Sequence, residues 1–233
     1  MAFRNIVTWP SSALKEESSP VLEFNDELNN LVQDLYDTLN VVTGVGLAAP
    51  QIGVGQRVTI IDMAQCQATN PSPTTGLPEN ILVLVNPTLE LSGPEHKWVE
   101  ACLSVPDSTG YVKRSQHIKV AYHTPTGERR EAEFDWPASG VIQHECDHLE
   151  GVLYINRMGT VARNMLTKKI IKKRKKLAAA RLLARREEKN EIAAFNGLSP
   201  SSTKKRASST KKRKKRASST KKNRLNKRGR RSK

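Results

Sequence analysis

The sequence has few of the features that stabilise secreted or membrane-spanning proteins. Its 233 residues include only three cysteines, an odd number that argues against a disulfide scaffold. No apolar run approaches the roughly 18 residues that a transmembrane helix needs. No basic segment followed by an apolar one opens the chain, as a secretory signal would. We therefore expect a soluble protein of the cytoplasm with no membrane partner.

Acidic residues are almost absent from the C-terminal third. Residues 157–233 carry 30 Lys+Arg and 3 Asp+Glu, a net charge of +27, whereas residues 1–156 carry 9 and 20, a net charge of −11. The two segments together give the +16 of the whole chain. An acidic body with a basic arm predicts attraction of the arm to a polyanion.

The last part of the arm also has few large apolar side chains, and the repeat within it has none. Residues 201–233 hold 17 Lys+Arg and no acid, and the sequence KKRASSTKK occurs twice within them, ten residues apart. This composition cannot bury a core, so we expect disorder. The predicted organisation is a folded domain over 1–160, a basic helix over 161–196 and a disordered basic tail over 197–233.

Hydrophobic periodicity predicts helices and strands in the body. FNDELNNLVQDLYDTLN reads as an amphipathic helix capped by Asn25, and the sequence from Thr160 onward as a long basic helix. QRVTIIDM and ILVLVNPTLEL read as buried strands, the apolar run of the second broken at Asn86 and Pro87. HIKVAYHTPTGERREAEF predicts a hairpin.

The sequence PASGVIQHECDHLEG predicts a further helix, with Ser139 as a candidate cap and Gly151 as its stop. The expected fold class is α+β: short mixed or antiparallel strands around a central helix.

The strongest chemical signal is QHECDHLEG at 143–151. At 100° per residue, positions four apart on a helix differ by about 40°, so His144 and His148 can hold one metal ion. Glu145 lies beside them, where its carboxylate can reach a water molecule. Two imidazoles leave the metal site incomplete, and a third ligand is needed.

The third ligand is not supplied downstream. After Glu150 the next acid is Glu187, deep in the basic helix, and Tyr154 stands where one metalloprotease class has its third histidine. Cys146 points away from the two histidines on a helix and is expected to be a small core residue. The remaining candidates lie elsewhere upstream: His96, His117, His123, Cys66 and Cys102.

Three stretches in order resemble the signature of the peptide deformylases. They are GVGLAAPQ at 44–51, EACLS at 100–104 and QHECDHLEG at 143–151, and the likeness covers roughly residues 4–170. Ala101 stands where the family has glycine. If that position required φ > 0, a Cβ would cost roughly 1 kcal/mol or more. The lead-in FDWPASG also differs from the Leu/Ala-rich approach usual in the family.

The resemblance implies a metal-dependent hydrolase that removes the N-terminal formyl group from formyl-methionine of nascent polypeptides and releases formate. Cys102, His144 and His148 would bind one divalent ion, and Glu145 would act as general acid and base. The resemblance implies Fe²⁺ as the usual ion, and Zn²⁺, Ni²⁺ and Co²⁺ also suit such ligands.

Other residues are assigned supporting roles. By resemblance, Gln51 and the backbone N–H of Leu103 would stabilise the oxyanion. Gly46 would bind the substrate backbone, and Val45 and Val141 would contribute to the methionine pocket. A network of buried charges is expected to orient the metal ligands. Its candidate members are Glu100, Arg114 and Asp147.

Two other functions fit parts of the sequence. A zinc endopeptidase would use the same helix on internal peptide bonds, and a catalytically inactive nucleic-acid-binding protein could retain the scaffold. The presence of Gln51 and Glu145 argues against the second. For the basic arm, the expected partner is the ribosome, bound through its RNA.

Overall fold

The computed structural model describes residues 3–74 and 76–195. The chain divides after Lys168 into two units, which are described separately. The first contains a helix α1 (Asp26–Val42) and five strands: β1 (Gly46–Ala48), β2 (Val58–Asp62), β3 (Ile81–Cys102), β4 (Val105–His123) and β5 (Arg129–Phe134). Helices α2 (Ala138–Leu149) and α3 (Tyr154–Arg157) follow, and α4 (Thr160–Phe195) begins in this unit and continues into the second.

Helix α1 forms as its sequence predicts. The side chain of Asn25 accepts hydrogen bonds from the backbone N–H groups of Glu27 and Leu28, at 3.1 and 3.2 Å. These bonds satisfy donors that a helix N-terminus otherwise leaves free. The apolar face is buried, at Leu28, Leu31, Val32, Leu35 and Leu39.

The five strands form one antiparallel sheet in the order β1-β2-β3-β4-β5. The apolar run at the start of β3 is buried on both faces of this sheet. Val83 and Val85 belong to the core cluster that contains α1. Leu82 and Leu84 belong to the cluster that contains Ile142 of α2. This is the period-two alternation of a strand covered on both sides.

The strands differ from the sequence prediction in length. Of the mixed and antiparallel pairings left open by the sequence, the five strands adopt the antiparallel one. The expectation that all strands are short is wrong, because β3 and β4 have 22 and 19 residues. The exposed half of this hairpin carries no apolar periodicity from which its length could be read.

Asn86 and Pro87 break the apolar run of β3 without ending the strand. They lie at a register shift between Val85 and Thr88, where Asn86 has φ 51°. The Asn86 side chain bonds both the N–H and the C=O of Val21, which holds this bulge in place.

Helix α2 is buried along its whole length. Eleven of its twelve residues are buried, and it packs against β4, β1 and β2. The predicted cap is wrong, because Pro137 occupies the N-cap position and the Ser139 hydroxyl donates to the C=O of Ser115 at 3.2 Å. The helix ends at Leu149, two residues before Gly151.

Helix α4 lies where the sequence predicts a basic helix. Within residues 3–74 and 76–195, no helix has both the length and the apolar character needed to cross a bilayer. The predicted disorder of residues 197–233 concerns a segment outside the described residues.

Candidate metal centre and active site

Three side chains with metal-binding atoms meet where the end of β3 faces α2. The ligand atoms of Cys102, His144 and His148 all lie within 4.8 Å of one another. The Cys102 Sγ is 3.3 Å from the Nε2 of His148. A thiol with two imidazoles is a donor set that suits iron, zinc, cobalt and nickel. Among the described residues, this is the one such cluster.

The β3–β4 turn positions Cys102. Cys102 pairs with Val105, whereas its neighbour Ala101 pairs with Thr109, so the register shifts at the thiol. Ala101 is not among the residues with positive φ. The conformational free energy that a left-handed backbone would cost an alanine therefore does not arise here. Ala101 occupies an exposed position of the strand.

The imidazole of His144 is held by a carboxylate. Its Nδ1 lies 2.6 Å from the Oε2 of Glu100, which leaves Nε2 for a metal. Burial alone would lower the pKa of His144, but hydrogen bonds to Cys102 and Glu100 raise it well above its usual value. Burial, with the positive charges of His144 and Arg114, lowers the pKa of His148 well below its usual value, which favours the neutral ring that binds a metal.

Glu100 belongs to a buried network of charges that reaches α2. The Arg114 guanidinium donates to both Glu100 oxygens, at 2.8 and 3.1 Å, and to Asp147 Oδ2 at 2.6 Å. Arg157, which the sequence did not suggest, also donates to Asp147, at 2.6 and 3.1 Å. Burial would raise the pKa of Glu100, but hydrogen bonds from His144 and Arg114 outweigh it and lower that pKa to about 2.

The carboxyl group of Glu145 has a raised pKa, in contrast to that of Glu100. Burial raises the pKa of Glu145 to about 7, although the charge of His144 opposes the shift. Its Oε2 is buried and has no hydrogen-bond partner among the described residues. Gly46 allows this placement, because a Cβ there would lie 2.8 Å from both Cγ and Oε1 of Glu145. The group can therefore gain and release a proton near neutral pH.

The side-chain amide N–H of Gln51 points toward Cys102. Its Oε1 accepts a hydrogen bond from the backbone N–H of Ala48 at 2.8 Å. Its Nε2 then faces Ser104 Oγ at 3.3 Å and Cys102 Sγ at 3.6 Å. The side chain is buried. The orientation of the amide is thus fixed by the backbone at the end of β1.

A cavity of about 690 Å³ opens beside these groups. Several residues predicted for the site line it: Val45, Gly46, Gln51, Glu100, Cys102, Leu103, Val141, His144 and Glu145. Arg114 and Asp147 line a separate cavity of about 430 Å³. The sequence missed Trp98, Val99 and the segment 107–109, which also line the larger cavity. The long β3–β4 hairpin brings these residues there, and no local motif marks them.

The other ligand candidates lie away from the centre. His117 is paired with Asp135, and His123 packs on Phe24 with ring centroids 5.5 Å apart. Burial raises the pKa of Cys66 to about 12, so this thiol is poorly suited to lose its proton. Cys146 is buried in the core, as predicted.

Comparisons with known proteins agree with this geometry. The family model described as polypeptide deformylase matches residues 3–164. The peptide deformylase of Zymomonas mobilis is 36% identical over 173 residues, which cover 74% of this chain and 95% of that protein. The peptide deformylase of Phenylobacterium zucineum is 38% identical, with 74% and 97% covered.

A solved structure shares the fold. The crystal structure of a peptide deformylase from Legionella pneumophila superposes with a TM-score of 0.66 at 32% identity, covering 76% of this chain and 98% of that one. The chain therefore belongs to the polypeptide deformylase family of metal-dependent hydrolases.

Proposed function

We propose that the chain removes the N-terminal formyl group from formyl-methionine of nascent polypeptides and releases formate, with Cys102, His144 and His148 as ligands of one divalent ion. One observation carries the proposal. The three ligand atoms lie within 4.8 Å of one another, and Cys102 and His144 line a large cavity. Glu145 lines the same cavity, and its buried Oε2 has no hydrogen-bond partner among the described residues. Helix α2 is then the central metal-binding helix of the fold.

The residues present fit a metal. A buried thiol, a neutral imidazole and a second imidazole oriented by Glu100 are what a divalent cation selects. The ion supplies Lewis-acid chemistry, which activates water as a nucleophile near neutral pH. We propose Fe²⁺ as the native ion, with Zn²⁺, Ni²⁺ and Co²⁺ as substitutes. The donor set accepts all four.

Glu145 moves the proton. Its Oε2 accepts a proton from the attacking water, and the same oxygen then donates it to the amine nitrogen as the bond to the formyl carbon breaks. The two products are formate and the free α-amine of methionine. A pKa of about 7 lets Glu145 serve in both steps.

Gln51 and Leu103 stabilise the oxyanion that develops on the formyl oxygen. Gln51 Nε2 already faces the thiol of Cys102, and Leu103 follows Cys102 in the turn and lines the cavity. One such donor is typically worth about 2.7 to 4 kcal/mol. Gly46 offers its backbone to the extended substrate, and Val45 and Val141 contact the methionine side chain.

Two alternative functions gain no support. The relatives reported above are deformylases. Among the described residues, the metal-binding cluster has Cys102 as its third member and contains no acid, unlike the endopeptidase alternative. A catalytically inactive binding protein would not need a buried Glu145 whose Oε2 has no hydrogen-bond partner among the described residues.

The basic arm is proposed to bind ribosomal RNA near the nascent chain. The body alone carries net −11 over residues 1–156, so phosphate would repel it, whereas residues 157–233 carry net +27. We retain the proposed division into a catalytic domain (1–160), a basic helix (161–196) and a disordered tail (197–233). A cytoplasmic location is proposed with it, because a reducing compartment keeps a thiol ligand from oxidation.

The first prediction tests Glu145. Glu145→Gln keeps the size of the side chain but removes its proton transfer, so formate release from a formyl-Met peptide should fall by roughly 10² to 10⁴. Glu90→Gln, an exposed site on β3, is the matched control and should leave the rate unchanged. Formate is measured on anaerobically purified, metal-replete protein. An active Glu145→Gln variant would remove the proposed role, and an inactive wild type would remove the proposed function.

The second prediction concerns the buried charge network. Arg114→Ala leaves the carboxylates of Glu100 and Asp147 without their shared partner, which should destabilise the fold by about 3 to 5 kcal/mol and lower the metal content. Arg129→Ala is the control, because its ion pair with Glu131 is exposed and should contribute at most about 1 kcal/mol. Thermal unfolding and metal analysis are the measurements. Unchanged values for Arg114→Ala would contradict the role.

The third prediction concerns the ion. A ferrous centre with a thiolate ligand reacts with oxygen, so activity of iron-loaded protein should decay in air while nickel- or cobalt-loaded protein keeps its activity. Parallel anaerobic samples control for unfolding. Equal rates of decay for all three metals would count against the iron proposal.

The fourth prediction concerns the arm. Truncation after Gly197 should weaken ribosome binding and reduce its salt dependence, by a slope of about 0.7 to 0.9 for each phosphate that the tail neutralises in the parent protein. A full-length variant with glutamine at every Lys and Arg of residues 204–222 separates charge from length. Both proteins should still deformylate a free peptide. If both bind ribosomes like the parent, the tail does not contact RNA.

A further inference from the structure

Trp98 forms part of the wall of the larger cavity, alongside Val141 and the metal-ligand candidate His144. It lies on β3, four residues before Cys102, and is partly buried. The proposed proton transfer does not use its indole ring. A large, stiff, apolar side chain at the wall of a substrate cavity limits the size of what can enter.

A second tryptophan, Trp136, packs against the ring of Trp98. The centroids of Trp98 and Trp136 are 4.5 Å apart, with planes at 79°, an edge-to-face arrangement that aromatic pairs favour. Trp136 also packs on His96, which shares a strand face with Trp98, at 4.3 Å. Trp136 does not line the cavity. It contacts Trp98 from outside the cavity.

Gly140 makes room for the pair. A Cβ on Gly140 would lie 2.6 Å from Trp136 Cζ3 and 3.2 Å from Trp98 Cζ2. Any larger residue would therefore push the indoles off the surface of α2. Val141, the next residue in the helix and the one proposed to contact the substrate side chain, lines the same cavity as Trp98.

A hydrogen bond fixes Trp98 relative to the metal ligands. The indole Nε1–H donates to Glu100 Oε1 at 2.9 Å, and the other oxygen of Glu100 lies 2.6 Å from Nδ1 of His144. One carboxylate thus orients both the wall of the cavity and a ligand. Glu100, the shared partner, therefore sets the position of the Trp98 ring relative to His144.

We propose that Trp98 is a specificity-determining residue that limits the size of the substrate's first side chain, and that Trp136 is a positioning residue that holds it. The inference rests on the proposed function, since it concerns the same cavity. A pocket closed by a fixed indole accepts a narrow, flexible thioether such as methionine and rejects a wide ring such as phenylalanine.

The test compares two substrates. The quantity measured is the ratio of kcat/KM for a formyl-Met peptide to that for a formyl-Phe peptide of the same following sequence. In Trp98→Leu this ratio should fall by about tenfold or more, since a single methylene in an apolar pocket is typically worth roughly 10- to 200-fold. Trp9→Leu is the matched control, because Trp9 does not line the cavity, and its ratio should not change. A variant that is only partly folded loses active enzyme equally for both substrates, so the ratio is unaffected by stability.

Trp136→Leu provides a second, independent variant. Its side chain lies outside the cavity, yet the ratio should shift in the same direction and by less, because Trp98 loses its support. If Trp98→Leu fails to fold, this variant carries the test, and an unchanged ratio overturns the proposal. An unchanged ratio in Trp98→Leu overturns it as well.

The two levels of failure are distinguishable. If wild type and variants all release formate from formyl-Met peptide with one common ratio, the specificity role fails while the deformylase activity stands. If metal-replete wild type releases no formate from either peptide, the proposed function itself fails.

Discussion

The buried carboxylate of Glu100 is the group on which the rest of the site depends. It is 3% exposed, and a carboxylate removed from water in this way is strongly unfavourable unless every oxygen is paired. Arg114, Trp98 and His144 supply the partners, and they come from β4, β3 and α2. The requirement to satisfy one charge therefore fixes the end of β3 against the helix that carries the two histidines.

The long hairpin follows from the same constraint. Arg114 reaches Glu100 only because β4 runs back along β3 far enough to bring the two residues together behind the ligand-bearing turn. From there the guanidinium extends to Asp147 on α2, and Arg157 completes the pairing of that second carboxylate. The middle of β3 is largely exposed, whereas its end at Glu100 and Cys102 is buried in the site.

The sequence predicted the parts of this arrangement that local patterns encode. Local patterns predicted the periodicity and the Asn25 cap of α1, and the two histidines spaced four apart on α2. The family resemblance supplied the upstream thiol, Cys102. The exposed part of the hairpin was missed because its residues show no alternation to detect. The contact of Trp98 with Trp136 was also missed, since it joins residues far apart in the sequence and depends on strand register, which no single segment contains.

Two glutamates near the proposed metal site show how placement alone sets their chemistry. Glu100 and Glu145 are both buried, yet the first has a pKa of about 2 and the second of about 7. The difference lies in partners: Glu100 is surrounded by donors, whereas Glu145 Oε2 has none among the described residues. A carboxylate with donors keeps its charge and holds other groups in place. One without them can exchange a proton, and so the two residues divide structural and chemical work between them.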